Sequence, residues 1–287
     1  MTTYAVTGST GGLGSAAIAA LIARGVAPSD IVAIARSEAK AAPLAESGVA
    51  VRIADYEQFD TLVTALAGVD RLLLVSGSEV GRRTPQHRNV IDAAKKAGVG
   101  FAAYTSLLGA DTSPLLLAGE HRETEAYLAD SGVDHVILRN GWYSENYAGS
   151  AASAIDGGVF YGAAGAATVA PAARADYADA AAAAVIAPEP GRVYELAGSE
   201  HLTYTDIAAV FGEIAGKPVR YQDIPVADYK AALIDAGLPE SAAEIVSDAD
   251  AGAANGALDS SSTELTDLRG GAAQTPFVDV IRAASTI

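Results

Sequence analysis

Short apolar runs alternate with amphipathic segments along the first half of the chain. The runs YAVT, DIVAIAR, VAVRIADY, DRLLLVSGS, GFAAYTS and DHVILRNG lack regular polar alternation, as is typical of parallel strands covered on both faces. Between them apolar residues recur at helical spacing, as with Leu13, Ala17 and Leu21 in GLGSAAIAALIARG. Six strands alternating with helices predict an α/β fold, a doubly wound parallel sheet of the Rossmann type with a ligand crevice at the carboxyl ends of the strands.

The rhythm loosens near residue 150. RVYELAG still indicates a buried strand, so we expect a seventh strand, and the remaining segments predict a small C-terminal α/β lobe. Because no Gly/Ser or Pro linker intervenes, we divide the chain into a Rossmann domain at 1–150 and an interleaved C-terminal lobe at 151–287. Segment 247–275 is predicted to be a surface excursion, and DADAG within it a solvated loop rather than a calcium site.

Composition excludes several classes of function. A net charge of -16 disfavours binding to nucleic acid or an anionic membrane. The absence of Cys excludes thiolate chemistry, and the four scattered His residues form no metal-binding motif, so we expect no metal. No leader and no run of membrane-spanning length is evident in the sequence, which predicts a cytoplasmic location.

The loop after the first strand has the spacing G-x-x-G-x-x-G. In such loops glycines allow a tight turn, close approach of backbone N–H groups to a pyrophosphate, and close packing of the following helix. Read alone, the spacing fits a glycine-rich turn without a ligand, but its place between first strand and first helix favours a dinucleotide. The predicted contacts are Gly8, Ser9, Thr10, Gly11, Gly12, Leu13 and Gly14.

The end of the second strand indicates which dinucleotide binds. An NAD site usually carries Asp or Glu there to accept from the ribose 2′-OH, whereas this strand ends in Arg36. A guanidinium pairs with a 2′-phosphate, and Lys40 follows one helical turn later. We therefore predict NADP(H) as cofactor; the alternative is that Arg36 is a solvated loop residue.

Two further strand ends supply cofactor contacts by topology alone. Asp55 and Tyr56, after the third strand, are expected near the adenine. Ser76, Gly77 and Ser78, after the fourth, are expected to face the ribose and the phosphate on the nicotinamide side. Each of these residues could equally belong to a turn.

Several longer motifs stand in order along the chain: VTGSTGGLG, IVAIAR, ADY, VSGSEVGRRTPQHRNVIDAAKKAGV, AYTSLLGADTSPL and RNGWYSENY. With them the chain resembles the NmrA-like branch of the atypical short-chain dehydrogenases, and within it the bacterial NAD(P)H:quinone oxidoreductases. The resemblance implies NADPH-dependent two-electron reduction of quinones to hydroquinones by direct hydride transfer. It also implies that an Asn steadies the quinone oxygen, and the matching motif position here is Asn146.

One departure from the wider superfamily concerns acid–base chemistry. No Tyr has a Lys four residues later, so the Y-x-x-x-K pair is missing, which counts against an alcohol dehydrogenase or a sugar-nucleotide enzyme. A quinone is already a good hydride acceptor and needs chiefly orientation and stabilisation of developing oxygen charge. An amide such as that of Asn146 can donate to a carbonyl oxygen without titrating, although the same residue could simply cap a helix.

The remaining site predictions follow strands five and six. Tyr104 is predicted to donate a hydrogen bond beside the nicotinamide, or else to be a half-buried aromatic. The residues predicted to wall the nicotinamide pocket are Asn140, Gly141, Trp142 and Tyr143, of which the two aromatics could instead seal the core. His87 and His121 are weaker candidates for proton delivery, since solvent can protonate a hydroquinone.

Two questions stay open at this level. The alternative function is a regulatory protein of the NmrA type that senses NADP(H) without turnover and binds a protein partner. The expected partner under the enzyme hypothesis is a small-molecule quinone, and a homodimer is left open.

Overall fold

Seven parallel strands form the centre of the molecule in a computed structural model that describes residues 1–285. The strands of the chain are β1 (Tyr4–Val6), β2 (Ile31–Ala35), β3 (Ala50–Ile53), β4 (Arg71–Leu74), β5 (Phe101–Leu107), β6 (Asp134–Asn140), β7 (Val159–Gly162), β8 (Thr168–Val169), β9 (Val193–Leu196), β10 (Leu202–Thr203) and β11 (Arg220–Asp223). The main sheet has the order β3-β2-β1-β4-β5-β6-β9. The predicted fold class and the predicted seventh strand, β9, are confirmed.

Helices cover both faces of this sheet and build the lobe beside it. They are α1 (Gly12–Ala23), α2 (Glu38–Glu46), α3 (Phe59–Ala65), α4 (Arg83–Ala97), α5 (Ala118–Asp130), α6 (Ala148–Gly157), α7 (Arg174–Ile186), α8 (Tyr204–Ala215), α9 (Val226–Asp235), α10 (Glu240–Ala254), α11 (Glu264–Leu268) and α12 (Phe277–Ser285). Short 3-10 helices span Pro28–Asp30 and Ser144–Tyr147. Across the described part of the chain, no helix has both the length and the hydropathy needed to cross a membrane.

The two faces of the sheet have separate cores. On one face α1 and α7 pack together, with Leu21, Leu73 and Val185 fully or almost fully buried. On the other face α3, α4 and α5 bury side chains such as Leu66 and Ile91. Because strand order reverses between β1 and β4, the helices on either side diverge there, which opens a crevice at the carboxyl ends of these strands.

The lobe has an aromatic core of its own. Phe160 stacks on Tyr204 with ring centroids 5.7 Å apart, and Phe211 meets the Phe160 ring edge-on at 5.2 Å. Chain segments pass repeatedly between lobe and sheet: residues 141–173 leave after β6, and the chain returns to the sheet as α7 and β9. The lobe therefore grows out of the crossover between two strands of the main sheet.

The predicted surface excursion at 247–275 is wrong in its first part. Helix α10 continues through DADAG to Ala254, and Asp250 is only 5% exposed. Small residues allow this burial, since a Cβ on Gly252 would lie 2.2 Å from Cδ2 of Leu115. The low hydropathy of Ala, Gly, Ser and Asp resembled a loop, whereas here these residues let the helix approach its neighbours closely.

Candidate active site

A groove of about 600 Å³ lies at the carboxyl ends of β1, β2 and β4. The structure brings most of the predicted cofactor contacts together there: Gly8, Thr10, Gly11, Gly12, Leu13, Gly14, Arg36, Tyr56, Ser76, Gly77, Ser78 and Tyr143. Lys40, the predicted reinforcement of Arg36, lines it as well. The groove is long and open, which suits an extended dinucleotide.

Backbone geometry shapes the glycine loop. Gly8 has φ +58°, a left-handed conformation that a side chain would strain, and its carbonyl accepts from the N–H of Gly11 at 2.9 Å. A Cβ on Gly14 would lie 2.3 Å from that same carbonyl oxygen. Helix α1 can start at Gly12 only because these positions lack side chains. Its N-terminal N–H groups are therefore directed toward the groove, where they can bind a pyrophosphate.

Ser9 is the exception within the loop. It is fully buried, and its hydroxyl donates to the carbonyl of Ile34 at 2.9 Å. Ser9 does not line the groove. Its predicted cofactor contact is corrected: the side chain fastens the loop to β2 instead.

Cations gather at the end of the groove beyond β2. The exposed guanidinium of Arg36 contacts the Glu79 carboxylate, with Nη1 to Oε1 at 2.7 Å. This hydrogen bond, with another from Gln86, lowers the pKa of Glu79. Arg36 and Lys40 line the same groove, where an anionic ligand group would compete with Glu79 for the Arg36 guanidinium.

Asp55 and Tyr56, the two residues predicted as contacts after β3, differ in their placement. Tyr56 lines the groove, and its hydroxyl donates to the carbonyl of Val75 at 3.2 Å; burial raises its pKa to about 12. Asp55 does not line the groove, and its Oδ1 accepts from the backbone N–H of Glu57 at 3.0 Å. The predicted adenine contact is thus retained for Tyr56 and corrected for Asp55, which closes a turn.

A second cavity, of about 450 Å³, opens from the groove. We call it the acceptor cavity. Both spaces share the lining residues Ser76, Gly77, Ser78, Thr105, Tyr143 and Arg174. A ligand in the groove therefore has one end against the acceptor cavity, and the 76–78 segment forms the boundary between them.

Two buried side chains hold this boundary in place. Nε2 of His87 accepts from the N–H of Gly77 at 3.0 Å, and Arg83 Nε donates to the carbonyl of Gly77 at 2.8 Å. Burial and the Arg83 charge lower the pKa of His87 to about 3, so the ring is neutral and its Nδ1–H donates to Thr124. His87 thus positions the backbone, and its single ring proton is already donated to Thr124.

The segment after β6 supplies one wall of the acceptor cavity. The predicted wall residues Asn140, Gly141, Trp142 and Tyr143 all line it, as does Asn146. Asn140 is buried, and its Nδ2 donates to the Tyr143 hydroxyl at 3.3 Å. Asn146 is exposed in the 3-10 helix Ser144–Tyr147, and its Oδ1 accepts from Arg174 Nη2 at 3.0 Å. Its amide N–H₂ is thereby left to donate into the cavity.

Arg174 is a site residue that sequence reasoning missed. It is the first residue of α7, lines both spaces, and lies with its guanidinium carbon 5.0 Å from the centroid of the Tyr143 ring. Both carboxylate oxygens of Glu145 accept from its backbone N–H, at 3.0 and 3.1 Å, which joins the helix to the 144–147 turn. No local motif marks Arg174, because its partners lie 28 and 29 residues earlier.

Tyr104 does not take its predicted place. Strand β5 continues to Leu107, so Tyr104 lies in mid-strand, fully buried, and lines neither space. Its hydroxyl lies 2.7 Å from Nδ1 of His121, a residue of the acceptor cavity. The phenol must donate here, since a buried O–H without an acceptor is costly. The predicted hydrogen bond beside the nicotinamide is corrected, and Tyr104 instead fixes the His121 tautomer that carries its proton on Nε2.

The acceptor cavity also contains a buried carboxyl that was not predicted. Oδ1 of Asp250 accepts from the Tyr204 hydroxyl at 2.6 Å, and Oδ2 accepts from the N–H of Ala163 at 2.8 Å. Burial raises the pKa of Asp250 to about 6. In the described residues, no cluster of three or more His, Cys, Asp or Glu side chains is arranged to hold a metal ion.

The reversing parallel sheet, the glycine loop and the groove at the switch in strand order define a dinucleotide-binding α/β protein. The profile of a family described as NAD(P)H-binding matches residues 8–188. The chain belongs to this NAD(P)H-binding family, and its resemblance to the NmrA-like quinone oxidoreductases is confirmed. The expected nicotinamide dinucleotide cofactor is confirmed with it.

Proteins with high similarity to this chain support the family assignment. The chain is 54% identical to quinone oxidoreductase 2 of Escherichia coli over 93% of each chain. A crystal structure of the NADPH-dependent quinone oxidoreductase of Escherichia coli, complexed with NADPH, has a TM-score of 0.94 at 51% identity and covers 98% of this chain and 99% of that one. Citrobacter sp. triphenylmethane reductase complexed with NADP(H) has a TM-score of 0.93 at 33% identity, with 98% and 100% covered.

Proposed function

We propose that this protein is an enzyme that reduces quinones to hydroquinones with NADPH by direct hydride transfer. The observation that carries the proposal is the junction of the two spaces: a dinucleotide groove opens at one end into a cavity with aromatic walls. The similarity to quinone oxidoreductase 2 of Escherichia coli supports the same activity.

The groove fits NADPH in each of its parts. Backbone N–H groups of the loop Gly8–Gly14 and the start of α1 would hold the pyrophosphate, and Arg36 with Lys40 would hold the 2′-phosphate. Tyr56 would face the adenine side, and Ser76, Gly77 and Ser78 the nicotinamide side. Bound NADPH supplies the hydride; the quinone takes up that hydride and a proton from solvent, which makes the hydroquinone.

Residues of the acceptor cavity would orient the quinone. The Asn146 amide would donate to the quinone oxygen on which negative charge develops, and Arg174 would keep that amide in position through Oδ1. Trp142 and Tyr143 would bound the flat ring. Since Tyr104 is buried behind His121, its contribution is to position the neutral ring of that histidine.

The remaining predictions concern the division of the chain, its partner, its location and its oligomeric state. We propose 1–150 as the cofactor-binding part and 151–287 as the interleaved acceptor part, with α7 and β9 returning to the sheet from the second. A small-molecule quinone is the proposed partner. The cytoplasmic location stays a prediction from the sequence, and the question of a homodimer stays open.

The test follows NADPH oxidation at its absorbance band during addition of a simple quinone, with NADH in parallel and oxygen excluded. Saturable oxidation with NADPH preferred over NADH is the expected result. Tight NADPH binding without turnover of any quinone would contradict the proposal and favour the regulatory alternative, a protein that senses NADP(H).

A further inference from the structure

One end of the acceptor cavity is built around the Asp250 carboxyl. Asp250 is 5% exposed, lines this cavity and does not line the groove. Each carboxylate oxygen accepts one hydrogen bond, from Tyr204 or from the backbone of Ala163, which leaves further lone pairs on both. Within residues 1–285 it forms no ion pair with Arg, Lys or His.

A carboxylate in this position is unfavourable for the fold alone. Burial without a cation disfavours the charged form, and the nearby charge of Asp223 adds to the effect. The other titratable groups around the carboxyl are all phenols that resist ionisation: Tyr147, Tyr204, Tyr221 and Tyr229. An Asn in this position could accept from the N–H of Ala163 and donate to a rotated Tyr204 hydroxyl without burying a charge, so the carboxyl is best explained by a ligand that donates to it.

A second group in the same cavity lacks a partner. The hydroxyl of Tyr147 is buried and, among the described residues, has no hydrogen-bond partner in good geometry; the Tyr204 hydroxyl lies nearby, but it donates its own hydrogen to Asp250. Tyr147 directly follows Asn146 and lines the acceptor cavity together with Phe160 and Tyr204. An unsatisfied buried O–H is costly, and a ligand oxygen can relieve it.

We propose that Asp250 and Tyr147 form a subsite for a hydroxyl-bearing side group of the quinone. The hydroxyl donates to the Asp250 carboxylate and accepts from the Tyr147 O–H, so that both groups are satisfied at once. The quinone ring lies against the aromatic walls, toward the junction with the groove. This inference rests on the proposed quinone reduction and specifies its preferred substrates: quinones that carry an alcohol on a short side chain.

A matched pair of quinones tests the subsite. The pair is menadione and its analogue in which the methyl group carries a hydroxyl, compared by kcat/KM with NADPH. Wild-type protein is expected to prefer the hydroxymethyl quinone on the order of tenfold, because the hydroxyl pairs with a charged acceptor. Asp250→Asn and Tyr147→Phe should each lower this ratio severalfold.

The control is Asp248→Asn on the same helix, whose carboxylate accepts from the backbone of Leu116 at 2.8 Å, outside the cavity. It should keep the wild-type ratio. If Asp250→Asn slows both quinones equally and leaves the ratio unchanged, Asp250 is structural and the proposal is wrong.

The pH dependence of the ratio is a second readout that needs no variant. As pH falls through about 6, protonation converts the Asp250 carboxylate into a weaker acceptor, so the wild-type preference should decline. In Asp250→Asn the ratio should be independent of pH. A ratio that is flat in the wild type overturns the subsite even if the variants fail to fold.

Failure of the subsite and failure of the proposed function give different results. If both quinones oxidise NADPH at equal efficiency, the subsite is wrong and the reductase stands. If neither quinone oxidises NADPH, the proposed function fails and the subsite fails with it.

Discussion

The cofactor groove and the acceptor cavity meet at residues 76–78, yet they are assembled in opposite ways. Apart from Thr105, Tyr143 and Arg174 at its junction with the cavity, the groove consists of residues in the first third of the chain, and its main ligand groups are backbone N–H groups and the cations Arg36 and Lys40. The acceptor cavity brings together residues from the segment after β4 and side chains spread from α4 to α10. Most residues that form the groove can therefore be recognised from short stretches of sequence. The residues of the acceptor cavity come together only through packing between distant parts of the chain.

Gly14→Ala is the variant expected to have the largest effect, and it tests the role of the loop backbone in the groove. The added Cβ would lie 2.3 Å from the carbonyl oxygen of Gly8, so the loop must move and its N–H groups lose their alignment. We expect the Kd for NADPH to rise by more than about a hundredfold. Fluorescence titration measures the Kd, and circular dichroism checks the fold.

The control for the loop variant is Gly157→Ala in α6, where an added Cβ meets no heavy atom within 4 Å. It should bind NADPH like the wild type. Unchanged NADPH affinity in folded Gly14→Ala would contradict the idea that loop backbone determines the groove.

Asn146→Ala addresses the acceptor cavity. Loss of one donor to the developing oxygen charge should lower kcat by about thirtyfold, while NADPH affinity stays within about twofold, because Asn146 does not line the groove. Single-turnover kinetics separates the two quantities. Asn255→Ala, whose amide bonds only the carbonyl of Ala251 at a helix end, is the control. An unchanged kcat would exclude Asn146 from catalysis.

Arg36→Gln tests the preference of the groove for NADPH over NADH. Removing the guanidinium should weaken NADPH by about tenfold and leave NADH nearly unchanged, since only NADPH carries the 2′-phosphate. Arg220→Gln, an exposed change in the lobe with the same loss of charge, controls for net charge. Equal weakening of both dinucleotides would remove the argument for Arg36 and the 2′-phosphate.

The smallest expected effect comes from Glu79→Gln. The Glu79 carboxylate pairs with Arg36 at 2.7 Å and repels a 2′-phosphate, so the neutral amide should tighten NADPH binding by about threefold. The gain should shrink at high salt, as for any exposed charge interaction. Glu46→Gln, at the exposed end of α2, should have no effect. Weaker NADPH binding would mean that Glu79 positions Arg36 and does not compete for it.

Sequence patterns predicted the sheet well because each parallel strand is a local apolar run, and a glycine loop must directly follow β1. They also placed Arg36, Tyr56 and residues 76–78 at the groove, because each of these positions shortly follows an apolar run that forms a strand. Ser9 and Asp55 were misplaced because a strand end fixes a residue's location but not whether its side chain faces ligand or backbone. Tyr104 was misplaced because it was assigned to the end of β5, although the apolar run GFAAYTS continues two residues beyond it.

Arg174 and Asp250 of the acceptor cavity could not be predicted from the sequence, for a physical reason. Arg174 enters the site through contacts with residues 145 and 146, and Asp250 through contacts with residues 163 and 204. A single sequence carries no record of such long-range pairs. In α10 the small residues needed for close packing also gave the composition of a loop.

The lobe segment 141–173 leaves the sheet after β6 and ends where α7 resumes the crossover to β9. An insert of this kind can change length or sequence while the strand order and the glycine loop stay fixed. For protein engineering, exchanging this segment would alter which acceptors fit, but a replacement must keep Tyr143 at the groove and the pairing of β7 with β11 and of β8 with β10.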